Sequence, residues 1–201
     1  MSFKQVDYRG LKIEFTEALT SQFSASEIKL IWRESLRHYF AISSSEQLMS
    51  DDRIFTSNEC QLLHQLVNRL KSGEPFQYLI GEVEFYGLEL KMDSRALIPR
   101  PETEELVDWI CQNHKGEISN ILDVCSGSGC ISLALSNTFQ EAYVLGLEYS
   151  KDAINLAEEN ALALKLPVRY LEGDVLDLNS FENSLSEQVG QNGTFDIVVS
   201  N

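Results

Sequence analysis

After Gly116 the sequence alternates between short apolar segments and segments with helical periodicity. Helices are predicted to begin near Cys130 and near Asp152, each of them between two apolar segments. The four predicted strands are Ile121 to Cys125, Tyr143 to Leu147, Val168 to Leu171 and Phe195 to Val199. Strands that alternate with helices form a parallel sheet, because each helix returns the chain to the starting edge by a right-handed crossover. The pattern therefore predicts an α/β domain of the Rossmann-like type.

The part of the chain from Tyr8 to Gly73 is predicted to be helical instead. Ser24 or Ser26 is the expected N-cap of one helix, and Ser57 is expected to open another. A shorter helix is expected around Ser45 to Met49. Apolar residues recur at steps of three and four along both longer helices: Ile28, Ile31, Trp32 and Leu36, then Leu62, Leu63, Leu66 and Leu70. This periodicity predicts a small helical bundle with no chemistry of its own.

Two features lie between these regions. From Glu82 to Met92 the apolar period becomes two around Gly87, which predicts a β-hairpin. The string from Leu97 to Glu105, LIPRPETEE, follows. Its prolines favour an extended approach, and Pro101 suits the first turn of a helix whose positive end the acidic residues complement.

A glycine-containing loop joins the first predicted strand to the helix after it, with the sequence DVCSGSG from Asp123 to Gly129. Glycine lets the backbone come close to a ligand, and the helix that follows offers free N–H groups. A dinucleotide fingerprint would require glycine or alanine where Ser132 stands, and a phosphate-binding Walker loop would require a lysine that is missing. The loop alone is also compatible with an ordinary tight turn.

Acidic residues follow the next two strands. Glu148 ends the second strand about twenty residues beyond the loop, where a carboxylate can accept hydrogen bonds from both ribose hydroxyls. Asp174 and Val175 follow the third strand, where they could border an adenine, although Asp174 could equally cap a turn. Since ligands bind at the carboxyl ends of parallel strands, these residues predict an adenosine-type cofactor. They do not distinguish S-adenosylmethionine from NAD.

Composition excludes several classes of function. The chain has 16 Lys and Arg against 31 Asp and Glu, a formal net charge of −15, so direct nucleic-acid binding is not expected. No segment approaches the roughly 18–20 apolar residues of a membrane helix. The N-terminus also lacks the apolar core of a signal peptide. The four Cys and three His lack zinc-site spacing. We therefore expect a cytoplasmic protein with reduced thiols, no metal and no membrane partner.

Several segments carry a resemblance to a known family. They are GEPFQYLIG (residues 73–81), Phe85 with Gly87, LIPRPETE (residues 97–104), the glycine loop, Glu148, Gly173-Asp174 and FDIVVSN (residues 195–201). Together they resemble the peptide chain release factor glutamine methyltransferases, the PrmC/HemK family. The LIPRPETE string is the most specific part, because many methyltransferases share the loop. Before residue 73 the resemblance rests on helical character alone.

The resemblance implies a class I methyltransferase domain that uses S-adenosylmethionine. The implied domains are a helical release-factor-docking domain (residues 1–80), a β-hairpin connector (81–95) and a partial methyltransferase domain with a truncated sheet (96–201). The implied reaction methylates the side-chain amide of the glutamine in the Gly-Gly-Gln loop of class I release factors. The implied cofactor-binding residues are Asp123, Cys125, Ser126, Gly127, Ser128, Gly129, Glu148, Asp174 and Val175. Asn201 matches the first residue of the family's Asn-Pro-Pro-Tyr motif, which implies a catalytic and substrate-binding role.

Two positions depart from the family pattern. Cys125 stands where the family usually has glycine, and we expect it to be tolerated because its side chain is small. Asn201 is the last residue given, and we expect Pro-Pro-Tyr to follow it in the gene, so that the chain is a fragment of a longer protein.

Two other functions remain open from the sequence. The first is an adenine-N6 methyltransferase of DNA or RNA, since those enzymes share the Asn/Asp-Pro-Pro-Tyr motif, although the charge of −15 disfavours it. The second is a non-catalytic module that binds S-adenosylmethionine, which would apply if the native chain ended at Asn201.

Overall fold

The structure is a computed structural model that describes residues 6–47, 52–114, 118–177 and 194–201. The chain divides into two compact units, residues 1–80 and 81–201. Each unit has its own cluster of buried apolar side chains. Within the described ranges, no helix combines the length and the apolar content needed to cross a bilayer.

The N-terminal unit is the predicted helical bundle. Its helices are α1 (Tyr8–Leu19), α2 (Ala25–Phe40), α3 (Ser44–Gln47), α4 (Ser57–Lys71) and α5 (Phe76–Ile80). Ser24 and Thr56 begin α2 and α4 with capping boxes, in which a glutamate three residues later binds back to the cap. Residues 48 and 49 of the shorter predicted helix lie outside the described residues. The sequence did not predict α5, nor the antiparallel pair β1 (Val6–Asp7) and β2 (Ile54–Phe55).

Trp32 lies at the centre of this bundle. Its ring packs edge-on against Tyr8 and Phe15, with ring centroids 5.6 and 5.1 Å apart. The indole N–H donates a hydrogen bond of 3.1 Å to the Tyr8 hydroxyl, so the one polar atom of this buried side chain is satisfied. The aromatic residues of the helical stripe therefore build a core, as their periodicity predicts.

The C-terminal unit contains the predicted hairpin and the predicted parallel sheet. The hairpin is β3 (Glu82–Phe85) with β4 (Leu88–Lys91), turned at Tyr86 and at Gly87, whose φ is +75°. The helices are α6 (Pro101–Asn113), α7 (Cys130–Thr138) and α8 (Lys151–Leu164). The parallel strands are β5 (Asn120–Val124), β6 (Tyr143–Glu148), β7 (Val168–Glu172) and β8 (Ile197–Ser200), in the spatial order β7-β6-β5-β8. The predicted α/β fold class is confirmed, and Pro101 is the first residue of α6.

The strand order locates the edge at which a ligand should bind. The chain runs from β5 to β6 and β7 on one side, whereas β8 pairs with β5 on the other. The direction of strand addition therefore reverses between β5 and β8. In open α/β sheets, ligands bind outside the carboxyl ends of the strands at such a reversal.

Tyr170 explains two of the glycines around this sheet. A Cβ atom on Gly146 would lie 2.4 Å from Tyr170 Cδ1, and one on Gly129 would lie 2.3 Å from its hydroxyl. The same hydroxyl shares a hydrogen bond of 3.1 Å with the Ser132 hydroxyl. The ring thus crosses β6 where only glycine leaves room, and it packs under the end of the loop.

Asn160 on α8 connects three segments of the C-terminal unit. Its Oδ1 accepts a hydrogen bond from the Lys91 N–H at 2.7 Å, while its Nδ2 donates to the carbonyls of Lys91 and Ser128. The side chain is 1% exposed, so water cannot replace these bonds. One buried amide therefore joins the hairpin, the helix and the glycine loop.

We predict that Asn160→Leu destabilises the C-terminal unit by about 2–4 kcal/mol, because it leaves the backbone groups of Lys91 and Ser128 buried without partners. The free energy of unfolding of this unit alone is measured by urea unfolding that is monitored through hydrogen exchange of the β5 and β6 amides. Asn155→Leu is the matched control, since Asn155 is exposed on the same helix and its replacement should change stability by less than about 0.5 kcal/mol. Equal losses in the two variants would show that the bridge contributes nothing.

Candidate active site

The residues that follow β5 and β8 lie side by side at the carboxyl edge of the sheet. Val124, the last residue of β5, is in register with Leu147 of β6 and with Ser200 of β8. Cys125 and Asn201 each follow one of these paired positions. The sheet thus brings together the glycine loop and the final asparagine, which are more than seventy residues apart in sequence.

The loop from Cys125 to Gly129 reverses direction within five residues and leads directly into α7. The N–H groups of Cys125 and Ser126 both donate to the Leu147 carbonyl, at 2.8 and 3.1 Å, which fixes the loop to the end of β6. Gly127 and Gly129 have φ values of +55° and +80°. Gly127 is needed for its backbone conformation, since a Cβ there would meet nothing within 4 Å, whereas Gly129 also makes room for Tyr170.

Cys125 adopts a left-handed conformation with φ of +62°, which is uncommon for a residue with a side chain. Glycine adopts this conformation without strain, which gives a physical reason to expect glycine at this position. The side chain is exposed and lines two cavities. Partial desolvation by the neighbouring loop and the negative charge of Glu148 still raise the pKa of its thiol, so the thiol is protonated at neutral pH. A raised pKa favours the neutral thiol of Cys125 over a reactive thiolate.

Glu148 is held in a fixed orientation at the end of β6. One carboxylate oxygen accepts the N–H of Gly127 at 3.0 Å, and the other accepts the N–H of Ser150 at 2.8 Å. Two cavities lie beside it. Leu147 and Tyr149, which flank Glu148 in the sequence, line the first cavity, and Gly127 lines the second. Each carboxylate oxygen has two lone pairs, so both oxygens retain capacity to accept a further hydrogen bond.

The first cavity, of about 350 Å³, is lined mostly by apolar groups. Of the predicted residues it contains Cys125, Asp174 and Val175. Asp174 also caps a turn, because its Oδ1 accepts the Leu176 N–H at 2.9 Å. The remaining lining residues are Val124, Leu147, Tyr149, Gly173 and Leu176. Sequence reasoning gave Tyr149 and Leu176 no place in the site. The one available signal was an aromatic residue directly after Glu148.

The second cavity, of about 320 Å³, joins the glycine loop to the LIPRPETE string. It is lined by Leu97, Ile98, Pro99, Arg100, Thr103, Cys125, Ser126, Gly127, Ser128, Cys130, Ile131 and Asn201. Asn201 Nδ2 donates a hydrogen bond of 2.6 Å to the Thr103 hydroxyl. Sequence reasoning did not place Thr103 in the site. The most specific string of the sequence thus meets the predicted substrate-binding asparagine.

Three buried polar atoms under this edge have no hydrogen-bond partner among the described residues. They are the hydroxyls of Ser126 and Ser128 and one oxygen of Asp123. The two serines line the second cavity, whereas Asp123 is 1% exposed and lines neither cavity. Burial raises the pKa of the Asp123 carboxyl to about 7, although the Ser132 N–H donates to it at 3.0 Å. Unpartnered hydroxyls beside a helix N-terminus suit a polar or anionic ligand group.

The described residues were also searched for a metal site. They bring together no group of three or more His, Cys, Asp or Glu side chains that could hold a metal ion. Of the predicted cofactor-binding residues, the structure places Cys125 to Gly129, Glu148, Asp174 and Val175 at one edge of the sheet, with Asp123 beneath them. Their roles remain predictions.

Comparison with known proteins identifies both parts of the chain. Residues 14–81 match the PrmC N-terminal domain, and residues 121–201 match a methyltransferase domain. Release factor glutamine methyltransferases of three bacteria are similar to this chain. The protein of Flavobacterium psychrophilum is 30% identical over 96% of this chain and 66% of its own length. The protein of Lactococcus lactis is 37% identical over 87% of this chain and 59% of its own length. The protein of Streptococcus pneumoniae is 36% identical over 91% of this chain and 64% of its own length.

The chain spans about three fifths to two thirds of the length of these relatives. The similarity extends through both units, including the helical one for which the sequence offered only periodicity. The family predicted from the LIPRPETE string and the glycine loop is therefore confirmed: the chain belongs to the release factor glutamine methyltransferases.

Proposed function

We propose that the protein transfers a methyl group from S-adenosylmethionine to the side-chain amide nitrogen of the glutamine in the Gly-Gly-Gln loop of class I release factors. The observation that carries this proposal is the meeting of three features at one edge of the sheet. These are a cofactor-type glycine loop, the ordered carboxylate of Glu148, and Asn201 at the second cavity. The names of the relatives support the same substrate.

The cofactor fits the chemistry of the residues that surround the two cavities. Glu148 would accept hydrogen bonds from the ribose hydroxyls. The apolar first cavity, with Asp174 and Val175 at its border, would hold the adenine. The unpartnered hydroxyls of Ser126 and Ser128 lie where the loop enters α7, and they would bind the polar end of the methionine moiety. When bound, the cofactor would supply a methyl group that its sulfonium activates. The amide nitrogen would gain the N–C bond as the C–S bond breaks to leave a neutral thioether, and the proton displaced from nitrogen would pass to solvent.

Asn201 would hold the acceptor nitrogen. An amide nitrogen is a poor nucleophile because its lone pair is delocalised into the carbonyl group. An acceptor atom that binds an amide N–H fixes the plane of the amide and stabilises positive charge as it develops on nitrogen. The side-chain oxygen of Asn201 can perform this function. The enzyme's contribution would then be mainly orientation, which is a large effect in reactions between two bound groups.

The N-terminal helical unit would dock the release factor. Its match to the PrmC N-terminal domain supports this role. Its capped helices and its own core around Trp32 make it a separately packed unit, as a docking domain requires. We propose no catalytic or cofactor-binding role for the residues of this unit.

We predict that Glu148→Ala weakens S-adenosylmethionine binding by roughly 1.5–3 kcal/mol, which is about 10- to 150-fold in Kd, because hydrogen bonds to a charged group are lost. Isothermal titration calorimetry measures the change. Glu141→Ala is the matched control, since Glu141 is an exposed acid just before the opposite end of β6. An unchanged Kd in Glu148→Ala would remove Glu148 from the site.

The proposed reaction itself is tested with the protein expressed from its whole reading frame, a class I release factor and cofactor labelled in the methyl group. We expect label on the glutamine of the Gly-Gly-Gln loop, located by mass spectrometry of the digested factor. A release factor with that glutamine replaced by alanine should remain unlabelled. Label on adenine in added DNA or RNA, with none on the factor, would instead support the nucleic-acid alternative.

A further inference from the structure

The LIPRPETE string places Thr103 at a fixed point beside the second cavity. Pro101 begins α6, and the Thr103 N–H donates to the Arg100 carbonyl at 2.9 Å in its first turn. Glu104, the next residue, accepts the Tyr86 N–H at 2.9 Å and so attaches the start of α6 to the turn of the hairpin. The Thr103 side chain is buried, with 5% exposed. The first turn of α6, which carries Thr103, is therefore fixed at two points.

Asn201, in contrast to Thr103, is not buried. It follows the last residue of β8 and is exposed. An asparagine amide presents an oxygen that only accepts hydrogen bonds and a nitrogen that only donates them. A rotation of 180° about the last side-chain bond exchanges the two. Since an exposed amide can adopt both orientations, an exposed Asn201 needs a partner that selects one of them.

A threonine hydroxyl can donate or accept a hydrogen bond. In the structure the Thr103 hydroxyl acts as the acceptor for the Asn201 amide. With Nδ2 donating to the Thr103 hydroxyl at 2.6 Å, the nitrogen is engaged and the oxygen Oδ1 remains available. An available oxygen binds the N–H of a primary amide. The reversed orientation would present the nitrogen, which binds a carbonyl oxygen and would leave the acceptor nitrogen of the substrate unheld.

We propose that Thr103 is a positioning residue that orients the Asn201 amide so that its oxygen, and not its nitrogen, faces the substrate amide. This inference rests on the proposed function for the identity of the substrate. The hydrogen bond from Asn201 Nδ2 to the Thr103 hydroxyl can be measured without any substrate. Thr103 touches neither substrate nor cofactor in this role, and it acts only through Asn201.

The kinetic test uses the protein from its whole reading frame. Thr103→Val removes the hydroxyl and keeps the shape of the side chain, so kcat should fall about tenfold, as expected for one hydrogen bond. The KM for S-adenosylmethionine should stay within about twofold. Thr103→Ser retains the hydroxyl and should restore kcat to within about threefold. Thr138→Val removes a hydroxyl from the end of α7, bonded to Ala134, and should leave kcat unchanged.

A double-mutant cycle separates positioning from a general structural role. If Thr103 acts through Asn201, Thr103→Val should cause no further loss of kcat once Asn201 is replaced by alanine. Multiplicative losses in the double variant would overturn the proposal, as would a kcat of Thr103→Val equal to that of the unmodified protein.

A measurement without turnover distinguishes this inference from the proposed function. In a ¹⁵N-labelled protein, a side-chain N–H of Asn201 should resonate at the position of a hydrogen-bonded proton, and Thr103→Val should shift it towards that of a free amide. If this shift is seen but no release factor is methylated, the orientation stands and the proposed substrate is wrong. If Asn201 resembles a free amide in the unmodified protein, the inference fails whatever the activity.

Discussion

The parallel pairing of β5 with both β6 and β8 is the constraint on which the candidate site depends. Val124 is in register with Leu147 on one side and with Ser200 on the other. Every residue that follows these positions emerges at the same edge of the sheet. The glycine loop, Glu148 and Asn201 therefore meet without any contact between them being specified locally in the sequence. A shift of β8 by one residue along β5 would turn the Asn201 side chain to the other face of the sheet.

The glycine loop is restrained on several sides before any ligand binds. The Leu147 carbonyl holds its first N–H groups, Glu148 holds Gly127, and Asn160 holds the carbonyl of Ser128. Below it, Tyr170 fills the space that Gly129 and Gly146 leave open. A loop fixed in this way loses little conformational freedom on binding, so more of the interaction energy remains as affinity.

Much of the fold could be predicted from the sequence, because periodicity and helix signals are local. The four parallel strands, the start of α6 at Pro101 and the hairpin around Gly87 follow from them. The bridge of Asn160 and the contact of Thr103 with Asn201 could not be predicted, since each joins residues about seventy to a hundred positions apart. Periodicity shows that a face is buried but not which backbone group it meets. For Asp174 the sequence allowed two roles, bordering an adenine or capping a turn. The structure shows the hydrogen bond that caps the turn, from the Leu176 N–H to Asp174 Oδ1.

The position of β8 in the sheet also affects how the chain folds. Ile197 of β8 pairs with Ile121 of β5, whereas β6, which follows β5 closely, pairs along its other side. During synthesis β5 therefore remains an open sheet edge until almost all of the described chain has been made. Such non-local pairing slows folding, and an unpaired edge can recruit strands from other chains. The strand that carries Asn201 to the site is thus also the one that covers this edge of β5, so the pairing of β8 with β5 and the assembly of the site are a single folding event.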